Sequence, residues 1–512
     1  MSRLFVGTID GVPCVKATKL NTDVPWTVPD NQYAKFLFNS RNQNAYVYEV
    51  FSVSLWNYSF PGVGNTQTYY LPSGSNASNA SYKVVAVQTS QNATTNITLS
   101  AMFENMGFSY EPIVEMRMRS TAGTSLGPRY RSTVNNTGQI RTFTASLPYS
   151  DTVVRNPGSS STYHIATASV WELPATNVAL PQDGANAAGR MAVRLTQTHA
   201  QVARVGFDVR TAPNTGFILN SDRPPAKIVA SGSTFVMPND STTVPITTTF
   251  DLTQDMYVDY LVQHTTQDLF HPPLVYIDGW STGAIAMDHR IDVAAKTITF
   301  SNGDITPLRV RWILLADDAA GTTTGGTRVA YRGNDGVEDF YQIKRPGSSD
   351  IAPRFDDILL DTRFQTLRLV DEGYLPWADF TETPEDTRLG ARRKTVSFVN
   401  TGFKPFVKYV VTRGGGDYTG FYFPPWYHPQ YQRFQITNLA DPDNLDGITS
   451  ATSTLARIFD TSVRFYMSRD NPWRVYRQVD GGEKAQGDYY SGDAATTWLP
   501  TGIRYYIFAL PE

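Results

Sequence analysis

The residues with the right atoms for chemistry are sparse. Six histidines occur in the chain, and His264, Asp268 and His271 fall close enough to straddle one turn. Three such donors suit zinc or a similar divalent ion, but ligation needs their lone pairs to converge, which a loop does not enforce. A polar turn is the favoured reading. Asp441, Asp443, Asn444 and Asp446 have the oxygen density of a calcium loop. An EF-hand would place a glutamate near position 452, where Thr452 stands, so a solvated turn held by Asx hydrogen bonds fits better. Asp371, Glu372, Asp379 and Glu382 offer carboxylates for glycoside cleavage, which requires two on facing strands, and closeness in sequence does not put them there. No Gly-x-Ser-x-Gly elbow is present. Gly414-Gly415-Gly416-Asp417 lacks the Lys-Ser/Thr of a phosphate cradle and reads as a hairpin loop. The expectation is a non-enzyme with no catalytic residue, metal or cofactor.

One stretch does suggest recognition. Tyr418, Phe421, Tyr422, Phe423, Trp426, Tyr427 and Tyr431 crowd around Pro424 and Pro425. Aromatic faces stack on the apolar faces of sugars and on aromatic partners at interfaces. They form the candidate contact surface, with internal packing as the competing role. Tyr489, Tyr490 and Trp498 repeat the theme on a smaller scale.

The elements that position these residues follow from alternation. Ile503, Tyr505, Ile507 and Ala509 fall on one face of a strand with Arg504 and Tyr506 between them, and Val258, Tyr260 and Val262 behave likewise. Such stretches lie between turn clusters rich in Gly, Pro, Asn and Ser. Helical periodicity is confined to two short candidates, 184–194 and 448–458. The pattern predicts an all-β protein of jelly-roll or Greek-key-like sandwiches with very little helix.

Composition narrows the function classes. An apolar content of 41% can fill real cores, which excludes a wholly disordered chain. A net charge of -3 argues against a phosphate-binding face, so no nucleic-acid partner is expected. A single cysteine, Cys14, excludes a disulfide framework and cysteine-based metal sites. No run reaches the ~20 apolar residues of a membrane span, and no signal-type segment is evident. Synthesis in a cytosol without membrane insertion is the expectation.

Self-comparison shows an internal repeat. Lys16 to Val24 is followed by Phe36-Leu37-Phe38-Asn39-Ser40-Arg41. Arg204 to Pro213 is followed by Phe217-Ile218-Leu219-Asn220-Ser221-Asp222. Lys344 to Pro353 is followed by Ile358-Leu359-Leu360-Asp361-Thr362-Arg363. A second pattern comes after each: an aromatic-proline turn between apolar strands, read at Gly107–Val114, Leu269–Val275 and Gly402–Val407. Each unit ends on an apolar strand, at Val170–Pro174, Arg311–Leu315 and Tyr506–Pro511. Three sandwiches with their own cores are expected: 1–180 with an Asn/Thr-rich insertion at 57–98, 181–326, and 327–512 with the aromatic loop 414–431.

The Lys/Arg, Asp-apolar and Asn/Asp-Ser/Thr-charged signals, together with the Gly-Phe-x-Pro turn at Gly402–Pro405, resemble a β-rich module of tailed-bacteriophage virion proteins. The fit is cleanest over Lys344–Asp361 and loosest in the first unit, where Thr22 precedes Asp23. The resemblance implies a structural protein of the tail tip, baseplate or tail fibre, assembled in the host bacterial cytoplasm and residing in the virion tail. Other tail proteins, further copies of itself as a trimer in a fibre, and a host-surface glycan or protein receptor are the implied partners. A head decoration or collar protein is the first alternative, and a carbohydrate-binding or glycan-cleaving protein the second.

Overall fold

The computed structural model describes residues 3–42, 47–54, 66–71, 76–78, 82–92, 96–105, 112–120, 130–131, 149–150, 154–155, 164–174, 177, 180, 189–213, 216–222, 225–248, 250–252, 256–264, 269–271, 275–276, 287–302, 307–316, 322–336, 339–364, 366–384, 392–413, 422–423, 436–437, 445–448, 454–467, 474–478, 484–488 and 500–510. Strands and short 3-10 turns make up its regular structure, and the protein is all-β. Among these residues no helix is long and apolar enough to cross a membrane. The helix expected at 448–458 is replaced by strand at both ends, Leu445–Ile448 and Thr454–Ile458. Ala456 and Ile458 are buried with Arg457 between them, so the burial period there is two. Of 184–194, the described part leads into the strand Val193–Leu195.

Each unit opens with an antiparallel three-stranded meander. The strands are Arg3–Ile9, Val12–Thr18 and Phe36–Asn39 in the first, Val193–Leu195, Ala200–Ala203 and Phe217–Asn220 in the middle, and Ala330–Asn334, Asp339–Lys344 and Ile358–Asp361 in the last. The pairing of second and third strands slips at the same place in all three, between Ala17 and Thr18, Val202 and Ala203, and Ile343 and Lys344. The extra residue is Leu37, Ile218 or Leu359. This bulge explains the run of three apolar residues, because the inserted residue also turns toward the apolar side. Ile218 and Leu359 are buried in one cluster with Phe38, Leu219 and Leu360, and Leu37 packs against it.

The polar close of the motif is a fixed hydrogen-bond set. Ser40, Ser221 and Thr362 hydroxyls accept the backbone N–H of Val15, Ala200 and Tyr341 at 2.9, 3.3 and 3.0 Å. Asn39, Asn220 and Asp361 side-chain oxygens accept the N–H of Arg41, Asp222 and Arg363 at 3.0, 3.1 and 3.0 Å. Short polar side chains therefore replace ladder bonds where each strand ends.

A second sheet follows in each unit: Val47–Ser54, Pro112–Ser120 and His164–Pro174, then Lys227–Val236, Tyr257–His264 and Leu308–Ala316, then Arg368–Pro376, Lys404–Arg413 and Pro500–Leu510. The last strand of each set lies in the middle, flanked by the other two. Its pairing with the first strand again slips at matching points: Trp171 faces Val47, Leu315 faces Ile228 and Phe508 faces Leu369, and one residue beyond each is skipped.

This register corrects one match made in the sequence. Ile113, Tyr257 and Phe406 stand opposite Trp171, Leu315 and Phe508. The middle counterpart of the Gly402–Val407 segment is thus the start of the Tyr257–His264 strand, not Leu269–Val275. Leu269–His271 instead joins the middle unit to the last, pairing with Thr454–Ile458. Aromatic and proline residues recur in many turns, so their presence alone does not fix strand order.

In the middle unit both faces of the second sheet are buried, with clean alternation. Tyr257, Leu261, Ile313 and Leu315 enter one cluster, while Val258, Tyr260, Val262, Val310, Trp312 and Leu314 enter another with Ile298 and Phe300. Burial on both sides is why Trp312 to Ala316 reads as an unbroken apolar run. The expectation of a separate core per unit is not met. One cluster unites Val15, Ala17 and Phe38 with Ala200, Val202 and Leu219 and with Ile343 and Leu360, drawn from all three meanders. A second unites Ile113 and Trp171, Tyr257 and Leu315, and Phe406 and Phe508. Phe403 likewise does not act within the last unit alone: it stacks on Phe398 at 6.1 Å and meets Tyr33 of the first unit edge-on at 5.7 Å.

Candidate functional site: a three-way junction

The most defined polar constellation sits where the three second sheets meet. Two residues beyond Ile113, Tyr257 and Phe406, on the same strand face, come Glu115, Asp259 and Lys408. The Lys408 ammonium donates to the Asp259 carboxylate at 2.8 Å, with side-chain exposures of 4% and 6%. The same ammonium lies over the Trp171 ring, 4.1 Å from its centroid, so a cation–π contact adds to the ion pair. The Trp171 indole stacks on Phe508 at 6.2 Å. Residues of all three units thus converge on one buried charge.

Further bonds tie the units together. The Tyr506 hydroxyl donates to the Pro174 carbonyl. Arg311 donates to the Pro405 carbonyl, and burial pulls its guanidinium down to about 10. Arg368 donates to the Tyr33 carbonyl and lies 5.8 Å from the Phe36 centroid, and burial pulls it down to about 9. Thr366 donates to the Leu37 carbonyl at 2.7 Å and Thr401 to that of Asn31 at 2.7 Å. These are desolvated or backbone-directed contacts, the kind that fixes one geometry. The arrangement can position surfaces.

The residues singled out in the sequence are placed elsewhere. Asp371, Glu372, Asp379 and Glu382 do not converge. Burial pushes the Asp371 carboxyl up, opposed by the Tyr505 hydroxyl that donates to it at 3.2 Å. Glu372 pairs with Arg504. Burial also acts to raise Glu382, but the Thr395 hydroxyl at 2.7 Å, the Thr395 N–H and Arg393 outweigh it and hold the group below its usual value. Asp379 is exposed at the end of a 3-10 turn.

Among the described residues no group of three or more His, Cys, Asp or Glu could hold a metal. His264 and His271 lie on paired strands but out of step, His271 standing opposite Val262, and Asp268 lies outside the described residues. Asp446 pairs opposite Arg477, while Asp441, Asp443 and Asn444 lie outside them. Of the aromatic contact candidates, Tyr422 and Phe423 form a short strand opposite Thr412 and Val411. Tyr418, Phe421, Trp426, Tyr427 and Tyr431 lie outside the described residues, as do Tyr489, Tyr490 and Trp498.

Sequence reasoning missed Asp259, Lys408 and Trp171. The available signal was an ionisable residue at one position of the second strand of the second sheet in every unit, but it surfaces only once the register is known. Comparison with protein-family models, with curated proteins and with solved structures gives no match.

Proposed function

We propose that this chain is a structural component of a tailed-phage particle, in the tail tip, baseplate or tail fibre. It works by assembly with other tail proteins and by attachment to a glycan or protein on the host surface. One observation carries the reading: the same two sheets recur three times in register, joined by connections that differ in sequence. The second strand of each second sheet is joined to the closing strand through 121–163, 265–307 and 414–499, and the last of these holds Tyr418, Phe421, Tyr422, Phe423, Trp426, Tyr427 and Tyr431. A scaffold whose core is independent of its connections leaves them free to carry contact chemistry. Repetition on a particle then lets modest contacts add up.

Imaging of particles carrying a labelled copy tests location: label at the tail is expected, and label at the head or its absence from particles refutes it. Incubation with host-envelope polysaccharide tests action: binding without new reducing ends is expected, and their release would mark a glycan-cleaving enzyme instead.

A further inference from the structure

We infer that one copy of this chain occupies the place that three copies of a single-unit protein would fill, and that its fold is complete without another copy of itself. In a row of linked units, one unit's face meets a different face of the next. Around a three-fold axis, by contrast, the same face of every unit points inward, and only residues near the axis can touch their own counterparts. Here counterparts do touch. Asp259 and Lys408 hold the same register position in the middle and last units and form the 2.8 Å pair. Trp171 and Phe508 hold matching positions in the first and last units and stack at 6.2 Å. The meanders agree independently, since Ala17, Val202 and Ile343, again one position, share a cluster.

The differences between counterparts are as informative as the likeness. Three identical last units would bring lysine against lysine at this desolvated position, and three middle units aspartate against aspartate. Like charges there repel strongly. A lysine in one unit and an aspartate in its neighbour turn that repulsion into attraction and fix the order of the units. With the inward faces used within the chain, those faces are not available to recruit a second copy. On this inference the three-fold arrangement lies within one chain, in place of the homo-oligomer expected from the sequence.

The test uses the full chain with specific-protease sites inserted in 181–188 and 317–321. Light scattering over a range of concentrations should give one chain, 56.9 kDa, per particle. After cleavage the three pieces should still elute together in equal amounts. The double exchange D259K/K408D should keep this behaviour, whereas K408D alone should not. A trimeric intact chain, or pieces that separate when cut while the intact chain is folded, would overturn the inference and leave the particle-protein reading standing.

Discussion

Replacing Lys408 with methionine keeps most of the side chain's volume and removes its charge. The Asp259 carboxylate, 6% exposed and bonded at 2.8 Å in the native protein, then loses the Lys408 ammonium away from water. Breaking a buried pair in this way costs about 3–5 kcal/mol. Asp259→Leu should cost a similar amount by stranding the ammonium, part of which the Trp171 face 4.1 Å away would continue to stabilise. The double variant removes both charges, and well-packed apolar replacements of buried pairs range from neutral to about 1–4 kcal/mol stabilising. The coupling between the two sites should therefore be several kcal/mol, far outside the ~0.5 kcal/mol within which independent sites add. Urea unfolding of the full chain, followed by near-ultraviolet circular dichroism, measures all four corners of the cycle. Single variants within ~0.5 kcal/mol of wild type, as for ordinary surface changes, or strict additivity, would refute the claim that this pair closes the junction.

Two more outcomes are expected. Ser40→Ala, Ser221→Ala and Thr362→Val each strand one backbone N–H of the meander, so each should lower stability by about 1–3 kcal/mol. Similar losses at all three in urea titrations would show that the positions are equivalent in energy as in geometry. The second concerns acid. Burial acts to raise Asp30, but Lys16 at 2.6 Å and Asn39 at 2.8 Å outweigh it and hold the carboxyl below its ordinary 3.8. Its contribution is therefore present above about pH 4 and lost as pH falls through the lower folded value. Asp30→Asn should shrink the difference in unfolding midpoint between pH 7 and pH 3, and an undiminished difference would count against it.

What the chain disclosed on reading, and what it withheld, has a physical division. Period-two alternation marks strands, and the ordered recurrence of Phe36–Arg41, Phe217–Asp222 and Ile358–Arg363 marks the units, because both depend on residues adjacent in sequence. Alternation reports that a face is buried but not what covers it. Val15, Val202 and Ile343 look like three local cores and are one. The position of Tyr257 opposite Leu315 was hidden because strand order depends on pairing across dozens of residues, while the aromatic run at Leu269–Val275 offered a nearer, false match. Thr454–Ile458 imitated a helix turn because Leu455 and Ile458 are three apart, a spacing that a tight hairpin with Ser462–Met467 also accommodates. Nothing adjacent in sequence marks out Lys408; only its register puts it beside Asp259 and Trp171.

The central place of each closing strand has a consequence for how the protein is made. Among the described residues, neither Val47–Ser54 nor Pro112–Ser120 has a permanent neighbour until His164–Pro174 has been synthesised, and Lys227–Val236 and Arg368–Pro376 wait in the same way for Leu308–Ala316 and Pro500–Leu510. At about 5–20 residues per second on a ribosome, the earlier strands wait many seconds with open edges, a period in which stray pairing between nascent chains is a hazard. Vectorial synthesis of this chain therefore invites chaperone occupancy at each of the three waits, and a translational pause placed before a closing strand would lengthen the exposure.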